Sequence, residues 1–138
     1  MEHIITVIIT AYKRKDYVRD AIDSIANQAL DSSKFEVLYI SDFSDYDNYI
    51  ISKLKNIKII KPKYDNWGEW IYEAVLQANG EIITFLDDDD IYSVYRLEHL
   101  YESINNSKYY NGTDMFFSNN YKFILDRKNL DKNIIYKP

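Results

Sequence analysis

Four consecutive aspartates, Asp87 to Asp90, follow directly on an apolar run that ends at Leu86. Two carboxylates about 4 Å apart repel by roughly 4 kcal/mol at an effective dielectric near 20, so the cluster is costly unless water or a cation neutralises it. Two readings follow from the residues alone. One is a cation site; the other is an acidic turn that caps the next helix, since Asp favours helix starts. His3 and His99 are the only imidazoles and Cys is absent, so the available metal ligands are oxygens. Oxygen donors suit Mg2+ or Mn2+ better than Zn2+, and such cations commonly complete their shell with substrate phosphates. A cation here therefore implies a diphosphate ligand. The chain contains only Gly68, Gly80 and Gly112, from which neither a GxGxxG nor a GxxxxGK[ST] loop can be built. A domain that holds phosphates without a glycine cradle can do so through a metal on carboxylates.

The aspartates need a scaffold that delivers them to one place. Ile4 to Thr10 is a short β-branched run that predicts a strand buried on both faces, and Val18, Ile22, Ile25, Ala26 and Ala29 recur at helical spacing after Asp16. The alternation continues with a strand at Phe35 to Ser41, a short helix at Tyr49 to Leu54, and a strand at Ile57 to Ile60. It ends with a helix at Trp67 to Ala78 whose apolar stripe runs through Trp70, Ile71, Ala74, Val75 and Ala78, a strand at Glu81 to Leu86, a helix at Val94 to Ile104 and a fifth strand at Thr113 to Ser118. Asn79-Gly80 reads as a helix stop with a residue able to adopt positive φ. This order predicts an α/β fold with a mainly parallel sheet and helices on both faces. Ligands then bind at the carboxyl ends of the strands, in the loops Thr10 to Arg14, Ser41 to Asp45, Lys63 to Gly68 and Asp87 to Asp90. In those loops Asp42 alone reads as a turn residue and Arg14 as either a pocket residue or a solvated charge. Trp70 lies on the apolar stripe, which leaves Trp67 as the better stacking face for a ligand.

Composition narrows the partners. The 138 residues fit one domain, with residues 119–138 as a poorly defined tail, and the 46% hydrophobic and 28% charged fractions are those of an ordinary globule. A net charge of −5 with scattered basic residues argues against nucleic acid. The apolar run at 4–9 is too short for a signal or membrane segment, so no transmembrane segment is expected. The absence of Cys fits a reducing compartment, and the expected location is cytoplasmic or peripheral to the membrane.

Three strings in order, TVIITAYKRKDYVRDAIDSIANQ from Thr6, FEVLYISDFSD from Phe35 and ANGEIITFLDDDDIYSVYRLEHL from Ala78, resemble the opening half of family 2 inverting glycosyltransferases. The resemblance implies the Rossmann-like GT-A nucleotide-diphospho-sugar transferase fold, truncated, with the acceptor half largely absent. It places Thr10, Ala11, Tyr12 and Arg14 at the nucleoside pocket, Asp42 on the nucleotide base, and Asn66, Trp67 and Gly68 in a loop that completes that pocket. It also makes Asp87-Asp88-Asp89 a DxD motif, with Asp89 and Asp87 on the metal and Asp88 toward the ribose or the metal's water shell. Lys13 stands where the family commonly has Asn.

The activity this implies is inverting transfer from a nucleotide-diphosphate sugar, with a UDP-sugar favoured, through Mn2+ or Mg2+, to a glycan or lipid-linked acceptor in polysaccharide synthesis. The catalytic base is unassigned, with Asp114, Asp126 and Asp131 as candidates. The alternatives are a non-catalytic nucleotide-sugar- or partner-binding module and a nucleotidyltransferase, although the glycine-rich signature loop of the latter is absent.

Overall fold

The computed structural model describes residues 5–106 together with 122–125 and 133–136. The chain divides into two compact units, Met1–Asn106 and Ser107–Pro138. In the second unit, strands β5 (Lys122–Leu125) and β6 (Asn133–Tyr136) pair antiparallel, with Phe123 opposite Ile135. The strand expected at Thr113 to Ser118 lies outside the described residues.

The first unit alternates strands and helices as the periodicity predicts: β1 (Ile5–Ala11), α1 (Val18–Ala26), β2 (Phe35–Ser41), α2 (Asp47–Lys53), β3 (Ile57–Ile60), α3 (Trp67–Gln77), β4 (Ile82–Asp87) and α4 (Arg96–Asn106). The sheet order is β3-β2-β1-β4 and every pairing is parallel. β1 is paired on both edges and all seven of its residues are buried, which is why it is written almost entirely in Ile, Val and Thr. Ile5 lies opposite both Phe35 and Ile82, and Thr10 opposite both Ile40 and Asp87. This register brings the chain exits of β1, β2 and β4 to one edge of the sheet.

Helices cover both faces. On one, Trp70 and Ala74 of α3 pack on Ile8, Leu38, Ile40 and Ile60. Trp70 is 1% exposed and donates its indole N–H to the Tyr64 carbonyl at 2.6 Å, so its one polar atom is satisfied at the edge of the core. On strands the next residues point the other way, so Val7, Ile9, Val37 and Tyr39 face the opposite side. There α1 buries Val18, Ala21, Ile22 and Ile25, the i, i+3, i+4, i+7 stripe of an amphipathic helix. Gln28 joins α1 to α4: its amide donates to the Ser93 carbonyl at 2.7 Å and its oxygen accepts from Leu97 N–H at 2.9 Å.

Three local expectations change. Ala26 is exposed, and Ala29 falls beyond the helix because the chain turns at Asn27; the Ala29 N–H donates to the Val94 carbonyl at 2.8 Å instead. Val75 of α3 is 38% exposed, because the stripe that meets the sheet is only as wide as Trp70 and Ala74. Gly80 is not at positive φ. α3 is stopped at Ala78 by extended backbone (φ −71°, ψ 134°), and Gly80 is small for a different reason. A Cβ there would sit 2.6 Å from the backbone nitrogen of Thr6, too close for any real side chain. The approach allows Gly80 N–H to donate to Thr6 Oγ1 at 2.9 Å. Thr6 in turn donates to Glu36 at 2.7 Å, and Glu36 accepts from the backbone and side-chain N–H groups of Asn79 at 2.6 and 3.1 Å. The end of α3 is thereby stapled to the amino ends of β1 and β2.

Candidate functional site

At the opposite end of the sheet the strand exits enclose a cleft of about 490 Å³. Thr10, Tyr12, Lys13 and Arg14 line it from β1 and its exit, Asp87 and Asp88 from the end of β4, and Trp67 from the first turn of α3. Asn66 caps that helix: its side-chain oxygen accepts from Glu69 N–H at 3.2 Å, and Glu69 supplies the acidic first turn. Trp67 and Gly68 are therefore helical residues and not part of a loop. Trp67 is left 53% exposed, with its ring available at the cleft.

The β1 exit is held by its neighbours. Lys13 has φ 57°, in the left-handed region that costs an L-residue about 1–2 kcal/mol and that Asn tolerates better. Its N–H donates to Asp42 Oδ1 at 3.0 Å. Asp65 takes the Tyr12 hydroxyl at 2.9 Å and the Lys13 ammonium at 3.4 Å. The Tyr12 ring meets Trp70 edge-on, with centroids 5.0 Å apart. These contacts lower the Asp65 pKa, the Tyr12 hydrogen bond most and the Lys13 contacts after it.

The aspartates form a turn in which the Asp90 N–H donates to the Asp87 carbonyl at 3.1 Å. The turn does not place the four side chains alike. Asp87, Asp89 and Asp90 are exposed and offer carboxylate oxygens that all lie within 4.8 Å of one another. Asp88 points inward, is 5% exposed, and is gripped by Arg14 at both oxygens: Nε to Oδ2 at 3.1 Å and Nη2 to Oδ1 at 2.8 Å. Arg14 Nη2 also approaches Asp89 Oδ2 at 3.3 Å. Although Asp87 is exposed, its partial desolvation at the rim of the cleft first, and then the charges of Asp89 and Asp88, raise its pKa, with Arg14 opposing. Just after the turn, the Tyr92 hydroxyl shares a 2.8 Å hydrogen bond with Thr84 and donates to the Phe85 carbonyl at 2.6 Å, and the Tyr92 N–H donates to Ser24 at 3.1 Å. Tyr92 thus pins the acidic turn to β4 and α1.

The three exposed carboxylates fit a hard divalent cation. Their oxygens lie within 4.8 Å of one another, and neither imidazole nor thiolate competes among them. Of the residues expected at the site, Thr10, Tyr12, Arg14, Trp67, Asp87 and Asp88 line one cleft. Asp89 stands beside it through Arg14. Asp42 and Asn66 act through the backbone of the loops that bound it, Gly68 lies in the first turn of α3, and Ala11 is a fully buried strand residue. Asp65 and Tyr92 are additions that spacing did not single out, whereas Asp90, the fourth member of the aspartate run, groups with Asp87 and Asp89.

Comparison with known proteins follows the same lines. The model of the family described as Glycosyl transferase family 2 matches residues 6–137. The poly(ribitol-phosphate) beta-glucosyltransferase of Bacillus spizizenii is 28% identical over 93 residues, which cover 62% of this chain and 15% of that protein. The crystal structure of Staphylococcus aureus TarS 1-349 superposes with a TM-score of 0.67 at 26% identity, covering 74% of this chain and 32% of TarS 1-349; the complex of the same fragment with UDP-GlcNAc superposes at 0.62. The Pyrobaculum calidifontis mannosyltransferase PcManGT, solved with GDP-Man and Mn2+, shares the fold with a TM-score of 0.58 at 18% identity, covering 70% of this chain and 31% of that one. The matched part of the chain covers about a sixth of the first curated relatives and about a third of the TarS 1-349 and PcManGT chains. The four-stranded parallel sheet with its helices is the GT-A, Rossmann-like arrangement of these neighbours. Among the described residues no helix is long and apolar enough to cross a membrane.

Proposed function

Because the chain belongs to glycosyl transferase family 2, we propose that it binds a nucleotide-diphosphate sugar, with UDP-sugars preferred, through a divalent cation held by Asp87, Asp89 and Asp90, for inverting transfer of the sugar. The observation that carries this reading is the triangle of carboxylate oxygens beside a cleft with an exposed Trp67 face. Mn2+ or Mg2+ bound there would offset charge on the departing diphosphate. The chain's own part is to orient the donor and to shield its diphosphate from the aspartates. The acceptor is a glycan or a lipid-linked sugar of a surface polysaccharide, a proposal supported by the poly(ribitol-phosphate) enzymes among the relatives. The base that activates its hydroxyl is unassigned, and Asp114, Asp126 and Asp131 lie outside the described residues.

The base pocket is assigned to Asp42, the β1 exit and Trp67. Asp42 spends one oxygen on the Lys13 N–H and offers the other to a ligand. Uracil presents an N3–H donor that a carboxylate can accept, whereas cytosine presents an acceptor there, and an unpaired buried polar group costs about 1–3 kcal/mol. Calorimetry with UDP and CDP, each with Mn2+ or with EDTA, tests both halves of the proposal. UDP should bind about ten-fold more tightly than CDP, and only with the cation. Equal binding in EDTA would remove the cation, and equal binding of CDP would remove Asp42 from the base.

A further inference from the structure

Arg14 touches two adjacent aspartates on unequal terms. Its grip on Asp88 is a two-point fork at 2.8 and 3.1 Å, the geometry in which a guanidinium matches a carboxylate best, and the carboxylate is buried. Its contact with Asp89 is single, 3.3 Å long and between groups that are 53% and 41% exposed, so it is the loose end. Asp89 is also one of the three residues whose oxygens converge on a cation-sized space, and Asp88 is not. The one carboxylate of the four that stands outside this group is thus the buried one that anchors the arginine.

Charge balance gives the arrangement a purpose. Four carboxylates outweigh a divalent cation by two charges, and Arg14 cuts that excess to one, so an arriving diphosphate meets less net negative charge while Arg14 stays in the cleft. A guanidinium carries five N–H donors in a rigid plane, and the fork on Asp88 occupies only one edge of it. We propose that Arg14 is the resident counter-ion of the aspartate cluster: it yields Asp89 to the divalent cation and, still clamped by Asp88, presents its remaining N–H groups to the diphosphate of the donor. Asp88 is then a positioning residue for Arg14, which differs from the ribose or metal-shell role that the family resemblance implies. The proposal rests on the cation-dependent nucleotide reading above.

Titration calorimetry of Mn2+ alone, of UDP with saturating Mn2+, and of uridine separates the possibilities. Arg14→Gln removes the competitor for Asp89, so Mn2+ alone should bind about three-fold more tightly, while UDP with Mn2+ binds about ten-fold more weakly and uridine is unchanged. A purely structural arginine would lower all three affinities together. Arg14→Lys keeps a charge beside the buried Asp88, so it guards against a variant that fails to fold. It should leave Mn2+ affinity near wild type and still weaken UDP several-fold, because a point ammonium cannot hold Asp88 and a phosphate at once. If wild type binds Mn2+ and UDP but Arg14→Gln leaves Mn2+ affinity unchanged or weaker, this proposal alone is overturned, as it is if Arg14→Lys binds UDP as wild type does. If wild type binds neither ligand, the nucleotide reading falls and takes the counter-ion role with it.

Discussion

At opposite ends of one parallel sheet, two carboxylates are buried to almost the same degree, Glu36 at 7% exposure and Asp88 at 5%. Glu36 accepts, among its contacts, from the Thr6 hydroxyl and two N–H groups of Asn79, and these sit on backbone that the sheet and the end of α3 hold rigidly. Asp88 is held by a side chain that is half in solvent and shared with a second carboxylate. Burial therefore does not distinguish a structural acid from a candidate functional one. The exposure of the partner does: the Thr6 and Asn79 donors on Glu36 sit on fixed backbone, whereas Asp88 is balanced by a half-exposed charge among surplus carboxylates.

Replacing Glu36 tests the fixed end and should have the largest effect. Glu36→Ala strands buried donors, so chemical denaturation should show a loss of about 3–5 kcal/mol, with nucleotide affinity of the folded fraction unchanged. A mild loss would mean that water serves these donors equally well, and the contrast would weaken. Asp89→Ala tests the half-exposed end. Cation-dependent UDP binding should fall by about a hundred-fold in calorimetry, while the melting temperature stays within about 2 °C, because the side chain is exposed and contributes little to the core.

A smaller effect with a definite sign is expected from Asp87. Its native pKa is raised, so the native state binds this proton more tightly than the unfolded chain does, and the ionised form carries a penalty above the native pKa that disappears as pH falls through it. In the absence of divalent cations, Asp87→Asn should therefore raise the melting temperature at pH 7 by about 1–2 °C and leave it unchanged at pH 4, the modest size reflecting solvent screening. A stabilisation equal at both pH values would show that repulsion in the cluster is not its source. The smallest effect is at Lys13, where φ is 57°. Lys13→Asn should relieve part of the left-handed strain but lose the Lys13–Asp65 ion pair, so the melting temperature should rise by about 1 °C or less, with Asp42 still accepting the backbone N–H.

The two ends also differ in how far they can be read from sequence. The strands and the aspartate run were legible because β-branched runs and a block of like charge are local signals, and the exits of β1 and β4 follow once the sheet is parallel. The division of labour inside the run was not: Asp88 and Arg14 are far apart in the chain, and whether an aspartate points inward depends on the turn that Tyr92 pins. The Glu36 staple left no trace either, since a glutamate in a strand looks like any solvated strand residue until the end of α3 reaches it. Gly80 was misread as a conformational stop because sequence shows that a glycine is present but not which backbone lies 2.6 Å from its missing Cβ. Asp42 and Trp67 were reachable through the resemblance, whereas Asp65 and Tyr92 act by hydrogen bonds across long separations that no spacing rule reports.

The position of β1 in the sheet has a consequence for the order of events during synthesis. β1 emerges first, yet its two edges wait for β2 and β4, and the second of these pairings joins Ile5 to Ile82. Until then one edge of the most apolar strand presents unpaired N–H and C=O groups, and a partial chain ending before β4 carries an open template for association with its own kind. The same strand that closes this edge ends at Asp87. The carboxylate cluster and the second pairing of β1 therefore arrive together, so a nascent chain that has acquired its charge cluster has, by the same pairing, closed the open edge of β1.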